Sequence, residues 1–203
     1  MDRLNLIRVK EELIRREMSI FSVRDFVRIF KVLPKTARAF LSYHSTDGVF
    51  RRVKMGIYVL PSNPPTKFEL ANYLYRPSYI SFESALSYYG IIPETVYSVT
   101  SATTKSTKDF NFLNLDYRYH KIKKELFFGF VPVKIRSRII LIADREKAVL
   151  DYLYLLSLKR QPVNERLNLN KIDKKKFGRY INYFKKRIRK IDTLINIVKE
   201  LDL

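Results

Sequence analysis

Ser22-Val-Arg-Asp-Phe-Val-Arg-Ile-Phe-Lys-Val32, then Leu33-Pro34, then Lys35-Thr-Ala-Arg-Ala-Phe-Leu-Ser-Tyr-His44, then Val49-Phe-Arg-Arg-Val-Lys-Met-Gly-Ile-Tyr-Val-Leu60 succeed one another within residues 20–61. Ser22 is a favourable N-cap, and Asp25 three places on supplies a weaker form of the capping box. Val23, Phe26, Val27 and Phe30 recur at the spacing of one buried helical stripe. Leu33-Pro34 breaks that helix, since proline suits a first turn but not an interior. In the second helix Ala37, Phe40 and Leu41 face inward, which leaves Lys35, Thr36, Arg38, Ser42 and Tyr43 outside. Asp47-Gly48 reads as a helix stop or hairpin, and Met55-Gly56 lies near the tip of the ribbon that follows. Helix, turn, helix, two-stranded ribbon is the order of a winged helix-turn-helix. Its second helix would enter a DNA major groove, with Arg51, Arg52 and Lys54 flanking it as a wing. Ser22 and Arg24, at the start of the first helix, complete the expected DNA-facing set of this region.

The charge distribution points the same way. The chain has 203 residues and a formal net charge of +20. Residues 1–62 hold 13 Lys/Arg against 6 Asp/Glu, residues 63–158 hold 13 against 9, and residues 159–203 hold 14 against 5. A nearly balanced middle between two basic ends suits a polyanion gripped in two places, because neutralised phosphates release counterions. Lys185, Lys186, Arg187 and Arg189 are the second expected phosphate-contacting group. Two alternatives fit the same charge: a module docking an acidic protein partner or toxin, and an architectural protein that coats duplex without reading sequence.

Pro61-Ser-Asn-Pro-Pro65 is the best linker candidate, so the expected domains are residues 1–62 and 63–203, the latter ending in a basic helical tail over 171–203. A leading helix is expected over Asp2–Met18, with Leu4, Ile7, Leu13 and Ile14 toward the core. Past the linker, Lys67–Tyr75 reads as helix, and Ser81–Tyr89 as a second helix with Ser81 as its cap and Gly90 as a left-handed terminator. Val96–Thr100, Lys108–Phe112, Tyr117–Ile122, Leu126–Phe130 and Arg138–Ile142 are short, aromatic or β-branched, and bounded by turn residues. They predict a small, largely antiparallel sheet. Asp144 caps a core helix over Glu146–Leu158, Gln161–Asn170 is a polar loop, and the remainder from Asp173 reads as helix with Phe177, Tyr180, Ile181, Phe184, Ile188, Ile191, Ile195 and Val198 on one stripe. The fold class is therefore α+β: a winged helix-turn-helix followed by a mixed α/β domain.

Two stretches carry a resemblance when taken together. Tyr79-Ile-Ser-Phe-Glu-Ser-Ala-Leu-Ser-Tyr-Tyr-Gly-Ile-Ile-Pro-Glu-Thr-Val-Tyr-Ser-Val-Thr-Ser101 with Ile142-Ala-Asp-Arg-Glu-Lys-Ala-Val-Leu-Asp-Tyr-Leu-Tyr154 resembles the AbiEi family of antitoxins and autoregulators of type IV toxin–antitoxin, or abortive-infection, systems. The resemblance implies a repressor of its own operon binding inverted repeats, which would call for two protomers on DNA. It also implies an antitoxin opposing a nucleotidyltransferase-like toxin without an obligatory tight complex. By the resemblance, Lys35, Thr36 and Arg38 match recognition-helix positions, Arg51, Arg52 and Lys54 the wing, and Ser81, Glu83, Tyr88, Gly90, Glu146, Lys147 and Asp151 signature positions of the second domain.

Enzymatic readings fare worse. Asp144-Arg-Glu-Lys147 after an apolar run could suggest a magnesium-dependent nuclease, but that chemistry wants acid and lysine on alternating strand positions. Here Glu146 and Lys147 are adjacent and open a helical pattern, so helix capping accounts for them better. His44 and His120 lie far apart with no carboxylate cluster beside them, and the five glycines form no phosphate loop. Aromatic–cation alternation at Tyr117-Arg-Tyr-His-Lys and Arg179-Tyr-Ile-Asn-Tyr-Phe-Lys-Lys could stack unpaired bases, although core packing explains the same rings. With no cysteine there is no disulfide or thiolate site, and a reducing compartment is the natural home. No stretch approaches the length of an apolar membrane span, and the first residues read as a charged amphipathic helix rather than a signal peptide. The expectation is a cytoplasmic, non-enzymatic, double-stranded DNA-binding protein without metal or cofactor.

Overall fold

The computed structural model describes residues 4–135, 138–159, 163–189 and 191–203. It is α+β and divides into two compact units, Met1–Leu70 and Ala71–Leu203. The division falls inside a helix rather than at Pro61–Pro65. The stretch after the ribbon is held to the first unit: Leu60 N–H donates to the Ser19 carbonyl, and the Ser19 hydroxyl to Glu69 Oε1 at 2.5 Å.

In unit 1 the order is α1 (Leu6–Arg15), β1 (Ile20–Ser22), α2 (Val23–Phe30), α3 (Pro34–Thr46), β2 (Arg51–Lys54) and β3 (Ile57–Val59). The strands form an antiparallel sheet in the order β1-β3-β2. The leading helix is shorter than expected, and the part of the expectation on Asp2 lies outside the described residues. Asn5 caps α1, its side chain accepting from the N–H groups of Ile7 and Arg8. The inward stripe is also rotated from the one expected. Val9 and Leu13 are buried, whereas Ile7 and Ile14 are exposed. Ser22 and Asp25 form the full capping box, and Lys31, at φ +50°, ends α2 in the left-handed region. Pro34 opens α3 at its first position. The core is aromatic: Phe21, Phe26, Phe50 and Tyr58 pack with Val9, Leu13, Ala37, Leu41 and Leu60, and Phe21 meets Phe50 edge-on at 5.8 Å. Burying a ring such as Phe26 completely is worth about 1.5–3 kcal/mol, so the three short strands are stabilised mainly through this shared cluster.

Unit 2 is built on a six-stranded sheet. α4 (Lys67–Leu74) leads into β4 (Ser78–Ile80) and α5 (Phe82–Tyr88). Next come β5 (Ser98–Thr103), β6 (Lys108–Phe112), β7 (Leu115–Lys121), β8 (Phe130–Ile135), β9 (Arg138–Ala143), α6 (Arg145–Lys159), α7 (Lys174–Lys185) and α8 (Asp192–Glu200). The strand order is β6-β7-β5-β4-β9-β8. Antiparallel pairs β6–β7, β5–β4 and β9–β8 alternate with parallel pairs β7–β5 and β4–β9, so the sheet is mixed. Two expectations are corrected. Leu126–Phe130 is not a strand. A 3-10 turn over Lys124–Leu126 leads through irregular backbone to β8, with Gly129 at φ +70°. The tail is not one helix either, since α7 and α8 are separate and both pack on α6 through Phe177, Ile181, Phe184, Leu194 and Val198. Gly90 terminates α5 at φ +63°, as its sequence position predicts. The start of the expected polar loop, Gln161 and Pro162, lies outside the described residues, as does Lys190. Among the described residues no helix is long and apolar enough to cross a membrane.

Candidate nucleic-acid interface

The residues expected to read DNA sit on α3 and the β2–β3 ribbon of unit 1. Helical periodicity divides α3 sharply: Ala37 and Leu41 are buried and Phe40 half-buried, while Lys35, Thr36, Arg38, Ser42 and Tyr43 are exposed. Phe40 packs on Phe26 and, at 4.5 Å, on the His44 ring, fixing the roll of the helix on its support. No side chain caps the α3 N-terminus, because Leu33 occupies that position. The partial positive charge of the first turn therefore adds to Lys35.

The β2–β3 ribbon, the expected wing, is more divided than its sequence suggests. Arg51 and Arg52 are both exposed, but neighbouring strand positions project to opposite faces. The register between β2 and β3 shifts between Arg52 and Lys54, and Lys54 is half-buried with a partner. Arg24 is exposed. Ser22 is otherwise engaged: its hydroxyl donates to Asp25 Oδ2 at 2.7 Å and accepts the Asp25 N–H at 3.1 Å. It is a structural cap, and its contact with any ligand is limited to what the box leaves over. Between the ends of α1 and α2 lies a depression of about 520 Å³ lined by Arg16, Met18, Arg28, Ile29 and Lys31. Its cations are partly answered, Arg16 by Glu12 at 2.5 Å and Arg28 by Asp25 at 3.4 Å. Hydrogen bonds from Arg15, then Arg16, pull the Glu12 carboxyl down to about 2.

In unit 2 the exposed cations form a ridge. Lys175, Arg179 and Lys186 recur at helical spacing on the open side of α7, and Lys185, Arg187 and Arg189 extend it. The Arg187 guanidinium stacks on Tyr183 at 3.4 Å. The underside of the ridge is anchored. Lys176 reaches Glu146 at 2.8 Å and Asp144 at 3.1 Å, and the Tyr180 hydroxyl donates to Asp144 at 2.8 Å. Burial works to lower the Lys176 pKa, but the bonds to Glu146 and Asp144 outweigh it and raise it above the usual lysine value. Burial likewise opposes ionisation of Glu146, yet Lys176 and the Asp173 N–H carry its pKa below the usual range.

The signature-like positions of the second domain turn inward. Lys147 and Asp151 are fully buried and ion-paired one helical turn apart on α6. Asp151 also accepts from the Tyr79 and Ser81 hydroxyls, each at 2.8 Å, and Lys147 Nζ donates to Tyr79 Oη at 2.8 Å. The ammonium is walled by the rings of Tyr79, Phe128 and Phe184, each 5.3–5.4 Å away. Ser81, expected to cap α5 with its side chain, instead spends its hydroxyl on Asp151. Burial pushes the Lys147 pKa down against the opposing pull of Asp151, and burial together with Asp151 pushes the Tyr79 phenol well up. No open face presents Lys147 with Glu146, as a nuclease would need. Tyr117 and Tyr119 are core residues, the Tyr119 hydroxyl donating to the Ala71 carbonyl at 2.6 Å, so neither offers a ring to a base. His120 is half-buried against Phe82, and burial lowers its pKa. Among the described residues, no group of three or more His, Asp or Glu is placed to hold a metal.

The buried network was out of reach of local sequence patterns, because its partners lie some 70 residues apart, Tyr79 on β4 and Ser81 at the start of α5 against Asp151 on α6. The adjacent signal was the charged pair at helical spacing in an otherwise apolar helix. No protein-family model matches the chain, and no curated protein matches it.

Proposed function

We propose that unit 1 is a winged helix-turn-helix that binds double-stranded DNA, and that the chain is a sequence-specific repressor. The observation that carries the reading is the division of α3. One side is locked to an aromatic core, and the other offers Lys35, Thr36, Arg38, Ser42 and Tyr43 to solvent. The element order and the β1-β3-β2 sheet support it, since they place a two-stranded ribbon after the second helix of the pair. In this reading α3 lies in the major groove, Arg38 touches base edges, and Arg24, Arg51 and Arg52 hold phosphates. The α7 ridge, with Lys185, Lys186, Arg187 and Arg189, supplies further phosphate contacts. Phosphate contacts give most of the affinity and few side chains choose the sequence.

The resemblance of Tyr79–Ser101 and Ile142–Tyr154 to AbiEi antitoxins extends the proposal to autoregulation through inverted repeats and to antagonism of a nucleotidyltransferase-like toxin. A docking function is favoured by one observation of its own: Leu33, Tyr43 and Met55 are 62%, 68% and 84% exposed around the same helix and ribbon. Fluorescence anisotropy with duplex from upstream of the chain's own gene, against scrambled duplex of equal length, separates the readings. A repressor prefers the upstream duplex at physiological salt, a chromosome-coating protein binds both alike, and a docking module binds neither.

A further inference from the structure

A cavity in unit 2 lies where two strands part. β4 and β9 run parallel but are bridged at a single pair, Ile80 and Ile142. On the Ser78 side of that bridge the Asn72 side chain stands in for a neighbouring strand. Its Oδ1 accepts the Leu141 N–H at 2.5 Å and its Nδ2 donates to the Leu141 carbonyl at 3.2 Å. The opening is about 370 Å³, with Asn72, Arg76, Ser78, Phe127, Ile139 and Leu141 among its walls and no carboxylate lining it. That volume is within the roughly 300–1,000 Å³ of small-ligand sites.

Three features of the walls call for an occupant. Ser78 is only 4% exposed, yet its hydroxyl has no hydrogen-bond partner. A hydroxyl withdrawn from water and left unpaired is unfavourable, and such groups in native proteins ordinarily have a partner. Arg76 is held rather than floppy: its Nε donates to the Asn72 carbonyl at 3.2 Å and its guanidinium lies over the Tyr73 ring at 4.7 Å. This fixes the plane of the fork while leaving its terminal nitrogens without an acceptor among the described residues. Ile139 is 72% exposed, a large apolar side chain open to solvent at the same opening. A cation, an unpaired donor and an apolar wall converge on one space.

We propose that this cavity binds a small amphiphilic carboxylate. The carboxylate takes the two-pronged donor geometry of Arg76, which suits a planar anion. The Ser78 hydroxyl donates to the same anion, and the apolar body lies against Phe127, Leu141 and Ile139. The site shares no residue with the DNA-facing set of unit 1 and stands or falls independently of it.

The test uses the full chain carrying ¹³C-labelled isoleucine and leucine methyls, titrated with benzoate, with neutral benzamide, and with phenyl phosphate. Benzoate shifts the Ile139 and Leu141 methyls saturably. Benzamide, lacking the charge, binds at least about tenfold more weakly, as does benzoate to Arg76→Gln, because a charge-assisted pair is missing. Ser78→Ala weakens benzoate and leaves the methyl spectrum of unit 1 unchanged. Methyls that do not move, shifts confined to unit 1, benzamide equal to benzoate, or Arg76→Gln without effect would each overturn the assignment. Phenyl phosphate binding more tightly than benzoate would overturn the carboxylate as the ligand class.

Discussion

Replacing Asp151 by Asn should leave the shape of unit 2 intact and remove much of its stability. The substitution is nearly isosteric, so no cavity term enters. What changes is the electrostatics around Lys147, whose ammonium is fully buried and is deprived of the carboxylate it pairs with. Three rings at 5.3–5.4 Å and the Tyr79 hydroxyl remain, but they do not replace a full negative charge. Breaking a buried pair from one side typically costs about 3–5 kcal/mol, out of roughly 5–15 kcal/mol for a whole domain. Peptide-resolved hydrogen exchange across residues 145–159 reports this directly: protection should fall at least about a hundredfold, since 1.4 kcal/mol is a factor of ten. The pH dependence supplies a second readout. Without Asp151 the main counterweight to burial is gone, so the folded-state pKa of Lys147 drops further and the unfolded chain binds the extra proton. Stability of the variant therefore climbs as pH rises from that lowered value toward the ordinary lysine range near about 10.4. The paired change Lys147→Met with Asp151→Leu removes both charges and should recover most of the loss. Protection within about threefold of the parent in Asp151→Asn, or a double variant no better than the single, would refute the claim that the pair is electrostatically coupled.

Gly129→Ala should cost about 1–3 kcal/mol, because φ is +70° and the new Cβ would lie 2.9 Å from Lys147 Cγ; urea unfolding monitored by tyrosine near-UV circular dichroism measures it. Glu146 has a folded-state pKa below its ordinary value, so the stability it provides is present above about pH 4.5 and is lost as pH falls through the lowered value. Glu146→Gln should flatten the acid limb of the stability profile of unit 2, and an unchanged limb would assign that limb to other carboxylates. On DNA, Arg38→Ala should lower discrimination at one base pair by about 1–3 kcal/mol if Arg38 grips guanine, whereas equal weakening on operator and random duplex would demote it to a phosphate contact. Neutralising Lys175, Arg179 and Lys186 to Gln together should reduce the log–log salt slope by about 0.9 for each phosphate no longer neutralised, with no change in fold. Substitution keeps Phe177, Ile181 and Phe184 in the core, which removal of residues 171–203 would strip out.

Elements with strong local signals were legible in the sequence. The Ser22–Asp25 capping box, the proline-led α3, the Met55-Gly56 tip and the Gly90 terminator each depend on residues a few places apart, and the structure forms all four. What escaped was set by distant partners. β1 and β4 are three residues long, too short for alternation to register, and exist because β3 and β5 supply their hydrogen bonds. Phe127, Phe128 and Phe130 resemble a strand in composition. Phe127 and Phe128 instead lie in irregular backbone, with the Phe128 ring turned onto Lys147. Of the stripe expected for α1, Leu13 is buried and Leu4 packs against the core, whereas Ile7 and Ile14 are apolar but face solvent, and Val9 takes their place inside. In the candidate interface the exposed set on α3 followed from periodicity alone. The capping box that engages Ser22 was legible too, but the register shift that divides Arg51 and Arg52 from Lys54 depended on strand geometry that composition does not carry.

The aromatic walls around Lys147 set an order of events during synthesis. Tyr79 emerges early, Phe128 later, and Phe184 only when α7 has left the ribosome. Before then the helix that carries the ammonium has nothing to close over one flank of it, and water has free access to a charge destined to be dry. Unit 1 needs nothing beyond Leu70 to complete its aromatic cluster and can settle while the rest is still being made. A nascent chain stalled between those points would carry a finished first unit and an open second one.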